Sequence, residues 1–102
     1  MAKKKRISDE SVVEMILQLC AAAYPDQQVR PEDVAIAINP EEWQSLLKRV
    51  RLAARQLAEM EYVDILRKGE RVDPDDFKGV YRLVIGEAFF ARPLVLTPGN
   101  DA

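Results

Sequence analysis

The stretch Trp43–Ala58, WQSLLKRVRLAARQLA, decides the fold of this chain because one helical repeat runs through all of it. Its apolar residues recur every three or four positions as far as Met60, which is typical of a helix that buries one side. At about 100° per residue, three basic residues fall on the opposite side of that helix: Lys48, Arg51 and Arg55. The stretch therefore predicts a long helix with a buried side and a basic side.

The residues before Trp43 predict where this helix begins. Asn39 can act as its cap, Pro40 suits the first helical position, and Glu42 has the spacing of a capping box. We therefore expect a long third helix that starts directly after Asn39 and ends near Met60.

Two helices are predicted before this one. Ser8 is a capping residue followed by acids, and apolar residues then recur at helical spacing up to the break at Tyr24–Pro25. Pro31, with two acids after it, predicts a second and shorter helix that ends near Ile38. Because Arg30 in the capping position supplies no acceptor, we expect that start to be weaker than the others.

After Tyr62 the apolar repeat changes from helical to alternating. Val63 and Ile65 share one face of a segment that runs to Gly69, which predicts a strand. Val80–Ile85, VYRLVI, predicts a second strand, and the intervening GERVDPDDFKG has the Gly, Pro and Asp content of a loop. We expect a two-stranded hairpin with a long tip.

The tail from Gly86, GEAFFARPLVLTPGNDA, is partly apolar but is interrupted by Pro93 and Pro98. Two interpretations stay open for it: an extended arm folded back on the body, or a surface for self-association. The chain then divides into a basic tail (residues 1–7), a folded domain (8–85) and a C-terminal extension (86–102).

Composition limits the classes of function. The chain has 102 residues, a formal net charge of -2, a single cysteine and no histidine. This length fits one domain, and the slight acidic excess means that any attraction to nucleic-acid phosphate has to be local. Cys20 alone forms neither an intramolecular disulfide nor a zinc site, so we expect a cytoplasmic protein without metal or cofactor. Acids interrupt the region where a signal peptide would be apolar, and no run suits a membrane span.

The predicted order of helix, helix, helix, strand, wing and strand resembles the winged helix-turn-helix fold, an α+β architecture. The residue pattern of the third helix and the wing is also similar to that of a small bacterial family of unknown function that is built on this fold. The matching pattern comprises Trp43-x-x-Leu46-x-x-x-Val50-Arg51, Ala54-Arg55-x-Leu57-Ala58, Gly69-x-x-Val72-Asp73-Pro74 and Gly79-x-x-Arg82-Leu83. The resemblance covers residues 8–85 and implies DNA binding, but it brings no catalytic residues.

In helix-turn-helix proteins the second helix of the motif enters the major groove, and here the third helix has that position. It presents five residues whose side chains can contact base edges or phosphates: Lys48, Arg51, Arg55, Gln44 and Ser45. We therefore predict binding to double-stranded DNA, with transcriptional regulation as the conjectured role. The alternative is that these charges only face water, with Arg55 paired to Glu59 four residues later.

A different class of function also stays open: a protein-interaction module that uses the wing or the apolar residues 86–102.

The basic residues 3–6 either follow DNA phosphates or form a solubilising tail. Asp73–Asp76 lacks the glycine and distal glutamate of a calcium loop, so it predicts a turn. The chain also lacks a histidine base, a glycine-rich phosphate loop and a nucleophile elbow, so we predict neither an enzyme nor a small-molecule substrate.

Overall fold

The computed structural model describes residues 7–77 and 79–91. This part of the chain is α+β, as predicted, with four α-helices, one 3₁₀ helix and three strands. In chain order these are α1 (Asp9–Ala23), α2 (Pro31–Ile38), the 3₁₀ helix (Trp43–Leu46), α3 (Leu47–Glu59), β1 (Val63–Arg67), β2 (Glu70–Arg71), β3 (Arg82–Ile85) and α4 (Glu87–Ala91). None of the helices in these ranges has the length and apolar content needed to cross a membrane.

The first two helices begin where the sequence predicts. The Ser8 hydroxyl accepts a hydrogen bond from the backbone N–H of Ser11 and so caps α1. α2 begins at Pro31, where Asp33 makes up for the missing acceptor on Arg30. The Asp33 carboxylate accepts hydrogen bonds from the Arg30 backbone N–H at 3.1 Å and from its guanidinium at 2.9 Å. The start of α2 therefore has a local contact that the sequence did not predict.

The predicted start of the third helix is wrong. Asn39 does not cap a helix; its side chain accepts hydrogen bonds from the backbone N–H groups of Glu41 and Glu42 and closes a turn. Pro40 lies in this turn, and the 3₁₀ helix then leads into α3 at Leu47. A short polar side chain that bonds to nearby backbone competes with helix formation, and here the turn wins.

One antiparallel sheet, in the order β2-β1-β3, packs against the helices. Val63 lies opposite Ile85 in the pairing of β1 with β3. The link between α1 and α2 joins the same sheet, because Val29 and Leu83 exchange two backbone hydrogen bonds of 2.9 and 2.8 Å. The link therefore ties the helices to the sheet.

The prediction of only two strands is wrong because the chain turns back at Lys68 and Gly69. Both residues have positive φ, 55° and 81°, as a two-residue hairpin turn of type I′ requires. The turn brings Glu70–Arg71 beside β1 as β2, where the sequence predicted a loop. The second predicted strand, Val80–Ile85, is also shorter in the structure, where β3 begins at Arg82.

The core lies between α1, α3 and the sheet. Its most deeply buried side chains include Ile16 of α1, Val50 and Leu57 of α3, Ile65 of β1 and Leu83 of β3, all at most 1% exposed. The predicted buried side of α3 is therefore confirmed.

Over residues 86–91, one of the two interpretations left open, an extended arm, is wrong, because Glu87–Ala91 form α4. The Ala88 side chain is buried, and its backbone N–H donates to the Glu61 carbonyl at 2.9 Å. Gly86 lies against the same carbonyl so closely that a Cβ there would collide with it. Residues 1–6, 78 and 92–102 lie outside the described residues, and so do the predictions made for them.

Candidate nucleic-acid interface

The five residues predicted to contact DNA lie on two consecutive elements. Gln44 and Ser45 belong to the 3₁₀ helix, and Lys48, Arg51 and Arg55 belong to α3. Although they follow one helical repeat, the structure gives them different surroundings.

Gln44, Ser45 and Lys48 lie on the surface at the N-terminal end of α3. The Ser45 hydroxyl donates a hydrogen bond of 2.8 Å to the Glu42 carbonyl. Gln44 and Lys48 make no side-chain hydrogen bond or ion pair with the other residues that the structure describes. Their polar groups are therefore available to an external partner.

Arg51 is half-buried beneath the loop that joins β2 to β3. Its guanidinium donates a hydrogen bond to the Phe77 carbonyl. The guanidinium carbon also lies 4.2 Å from the centre of the Phe77 ring and 5.6 Å from that of Tyr81. Both rings are buried, and their centres lie 5.0 Å apart in an edge-to-face arrangement. Arg51 therefore fastens the loop to α3 through a cation–π stack, a role that the helical repeat did not predict.

Tyr81 closes this stack from the side of the sheet. Burial raises the pKa of Tyr81 to about 12, which outweighs the opposite effect of the Arg51 charge. Its hydroxyl group therefore stays protonated at neutral pH.

Arg55 is held by two acids at the surface. Its guanidinium approaches the Asp75 carboxylate at 2.9 and 3.1 Å, and the Glu59 carboxylate at 3.6 Å. The pairing with Glu59 was predicted from sequence, whereas Asp75 lies 20 residues away in the β2–β3 loop. The neighbouring Glu59 carboxyl group and the Arg55 guanidinium hold the pKa of the Asp75 carboxyl below its usual value.

Two adjoining hollows extend the surface around Lys48 across the sheet. The first, of about 370 Å³, lies between the start of α2, α3 and the β2–β3 loop. The second, of about 430 Å³, lies beside the hairpin turn of β1 and β2. Val80 and Tyr81 line both hollows, so we call the two together the basic groove. Its charged lining residues are Lys48, Arg51, Arg67, Lys68, Arg82 and the single acid Glu32.

The cations of the basic groove are not neutralised by direct ion pairs. The structure describes nine of the chain's 15 Lys and Arg residues. Four of these nine form ion pairs with carboxylates, and all four lie outside the groove: Arg30, Arg49, Arg55 and Arg71. The other five line the groove, where Arg67 and Arg82 donate only to backbone carbonyls of Val80 and Tyr81. Uncompensated positive charge is thus concentrated on one surface.

The acids of the same region line a separate hollow of about 560 Å³ between the end of α3 and the sheet. Glu59, Glu61, Asp64 and Asp73 line it, and Arg71 is the one cation among its described lining residues. Among the described residues, no acids or Cys are grouped so as to hold a metal ion. Of the charged residues between β1 and β3, Lys68 lines the basic groove, whereas Arg71 and Asp73 line this separate hollow, which we call the acidic hollow.

Cys20 lies in the core and not at this surface. Its side chain is 1% exposed on α1, and burial raises the pKa of its thiol to about 12. The thiol is therefore protonated at neutral pH, which makes it a poor nucleophile.

Residues 9–86 match the model of a protein family whose description is "Protein of unknown function (DUF3253)". The match begins with the first residue of α1 and ends just before α4, so it includes the basic groove. No curated protein matches the chain. The prediction of a family of unknown function is confirmed, while the match carries no statement about a winged helix-turn-helix fold or about DNA. The chain belongs to the family of proteins of unknown function DUF3253.

Proposed function

We propose that this protein binds double-stranded DNA through α3 and the basic groove. The observation that carries the proposal is the distribution of ion pairs: all five described cations that lack a carboxylate partner line this one surface. Neutralisation of DNA phosphates by Lys and Arg supplies much of the affinity of a DNA-binding protein. A local concentration of cations without carboxylate partners meets that need in a chain whose net charge is -2.

The arrangement of elements supports a winged helix-turn-helix interpretation. α2, the turn after Asn39 and α3 follow one another as the two helices of such a motif do, and β1 and β3 follow with a loop between them. In this interpretation α3 enters the major groove and the β1–β2 turn lies against the neighbouring backbone. The basic groove lies between these two elements, and its two halves adjoin at Val80 and Tyr81, which line both.

The contacts divide the predicted DNA-binding residues by role. Gln44 and Ser45 are exposed at the start of α3 and can reach base edges, while Lys48 supplies a free charge for phosphate. Arg51 adds positive charge to the groove wall but is held by Phe77. To the predicted set we add three residues of the sheet and its turn: Arg67, Lys68 and Arg82. Transcriptional regulation in the cytoplasm is the role we propose for such a protein.

Fluorescence anisotropy with a mixed-sequence duplex, measured across a salt series, tests this proposal. The double variant K48Q/K68Q removes two groove charges that have no described partner, so its stability stays that of the wild type. If each lysine contacts one phosphate, the slope of log K against log salt falls by about 1.8.

Arg71→Gln is the matched control, because Arg71 is exposed and lines the acidic hollow. It removes one charge without touching the groove. The proposal is refuted if the wild type does not bind the duplex at low salt. It is also refuted if Arg71→Gln reduces the salt slope by as much, per charge removed, as K48Q/K68Q does.

A second candidate function, a protein-interaction module, is favoured by one observation. Tyr24 and Phe90 are 52% and 62% exposed, and their ring centres lie only 5.1 Å apart. Exposed aromatic clusters are typical of protein interfaces. If this pair mediates self-association through the C-terminal extension, the wild type has a larger solution mass than Phe90→Ser by light scattering. Equal monomer masses for both proteins remove this version.

A further inference from the structure

We propose that Arg55 is a latent DNA contact and that Asp75 is an internal competitor for it, occupying the guanidinium that a DNA phosphate would otherwise bind. The acidic tip of the β2–β3 loop then lowers the affinity of the free protein for DNA. This inference rests on the proposed DNA-binding function and concerns the regulation of the same surface.

Arg55 belongs to the same side of α3 as Lys48. The two residues are seven positions apart, which places them two turns and about 10 Å apart along the helix axis on nearly one line. Lys48 is free at one end of this line, whereas Arg55 at the other end is paired with Asp75 at 2.9 Å. A surface that contacts DNA along α3 thus loses one of its two charges to the loop.

The loop holds Asp75 at this position through contacts on both sides. On one side, the Asp73 side chain accepts a hydrogen bond of 2.9 Å from the Asp75 backbone N–H. On the other side, the buried ring of Phe77 packs against the guanidinium of Arg51 of α3. Asp75 is therefore presented to Arg55 by an anchored turn.

The pair is nevertheless easy to exchange. The side chains of Arg55 and Asp75 are 48% and 59% exposed, and exposed ion pairs contribute little to stability. Arginine binds phosphate with the same forked geometry that it uses for carboxylate, so a DNA phosphate can take the place of Asp75. The displaced Asp75 carboxylate then remains near the DNA and repels it. This repulsion adds to the loss of DNA affinity that Asp75 causes.

A cycle of variants tests this competition with the mixed-sequence duplex and the salt series described above. Asp75→Asn leaves Arg55 with only the longer Glu59 contact of 3.6 Å and is expected to tighten binding by about two- to fivefold, the range of an exposed ion pair. It also steepens the salt slope by about 0.9, since one further phosphate is neutralised. Arg55→Gln alone leaves the affinity within about twofold of the wild type, because in the wild type a phosphate contact of Arg55 is offset by the loss of its pair with Asp75.

The decisive comparison is the double variant R55Q/D75N, in which the gain in affinity and slope disappears. Asp76→Asn is the matched control: it makes the same change of charge in the same loop, but the Asp76 side chain has no contact with Arg55 among the described residues. Asp75→Ser repeats the test with a second side chain that cannot pair with Arg55, and thermal unfolding of each variant verifies that it is folded.

The outcomes separate this inference from the proposed function. If neither the wild type nor any variant binds DNA, the proposed function itself fails. If the wild type binds but Asp75→Asn binds no more tightly, or if Asp76→Asn gains as much, the competition by Asp75 is overturned while DNA binding stands. A gain that persists in R55Q/D75N also overturns it, because Arg55 is then not the residue that was freed.

Discussion

Replacing Arg51 is expected to destabilise the folded protein, because this arginine joins α3 to the β2–β3 loop. In Arg51→Ala the Phe77 carbonyl loses a charged donor, and the rings of Phe77 and Tyr81 lose the guanidinium stacked on them. A hydrogen bond to a charged group contributes about 1.5 to 3 kcal/mol, and a cation–π contact about 0.5 to 2 kcal/mol. Because Arg51 is only half-buried, we take the lower part of both ranges and expect a total of about 2 to 3 kcal/mol.

Urea unfolding monitored by circular dichroism measures this loss as a change in the free energy of unfolding. For a domain of this size, a loss of about 2 to 3 kcal/mol corresponds to a lower Tm by roughly 8 to 24 °C. Arg51→Lys keeps the charge but loses the planar stack, so it is expected to lie between the wild type and Arg51→Ala.

Lys48→Ala is the control, since Lys48 lies one turn away on α3 and has no described partner. Its free energy of unfolding is expected to stay within about 0.5 kcal/mol of the wild type. An Arg51→Ala variant as stable as Lys48→Ala refutes the structural role of Arg51, and Arg51 then returns to the set of free groove cations.

Three further predictions concern the rest of the fold. Leu57→Ala empties a core position that is 1% exposed and is expected to cost about 2 to 5 kcal/mol in urea unfolding, whereas Leu52→Ala, at a position 57% exposed, changes stability little. Gly86→Ala pushes a Cβ into a backbone carbonyl and is expected to lower the Tm, measured by calorimetry; an unchanged Tm contradicts the close packing of α4. The hydrogen bond from Arg30 holds the pKa of Asp33 below its usual value, so the wild type is more stable than Asp33→Asn at neutral pH. That advantage is lost as the pH falls through the lowered pKa, because Asp33 then becomes protonated in the folded state; a Tm difference that is constant from neutral to acidic pH contradicts this.

The parts of the fold that sequence predicts correctly are those whose signals are local. Ser8 before α1 and Pro31 at the start of α2 act within one helical turn, so the sequence alone locates both starts. Asn39 shows the limit of such signals, because the same side-chain oxygen can cap a helix or close a turn. Lys68-Gly69 marks a tight turn only if a lysine adopts positive φ, which is uncommon for a residue with a side chain.

For the candidate site, the helical repeat of α3 predicts which residues face outward but not what they meet there. The partners of Arg51 and Arg55 are Phe77 and Asp75, and no periodic pattern connects these residues to α3. The same repeat also does not indicate that Lys48 of α3 and Lys68 of the hairpin turn line adjoining hollows.

Arg51 and Arg55 show why the availability of a basic residue depends on the environment of its partner. Arg51 is stacked on buried rings, so an external anion would have to break contacts that stabilise the fold. Arg55 is paired at the surface, where water already solvates both charges and exchange for another anion costs little. The charges that α3 can offer to an external anion therefore depend on the β2–β3 loop, which holds Arg51 in a packed stack and Arg55 in an exposed ion pair.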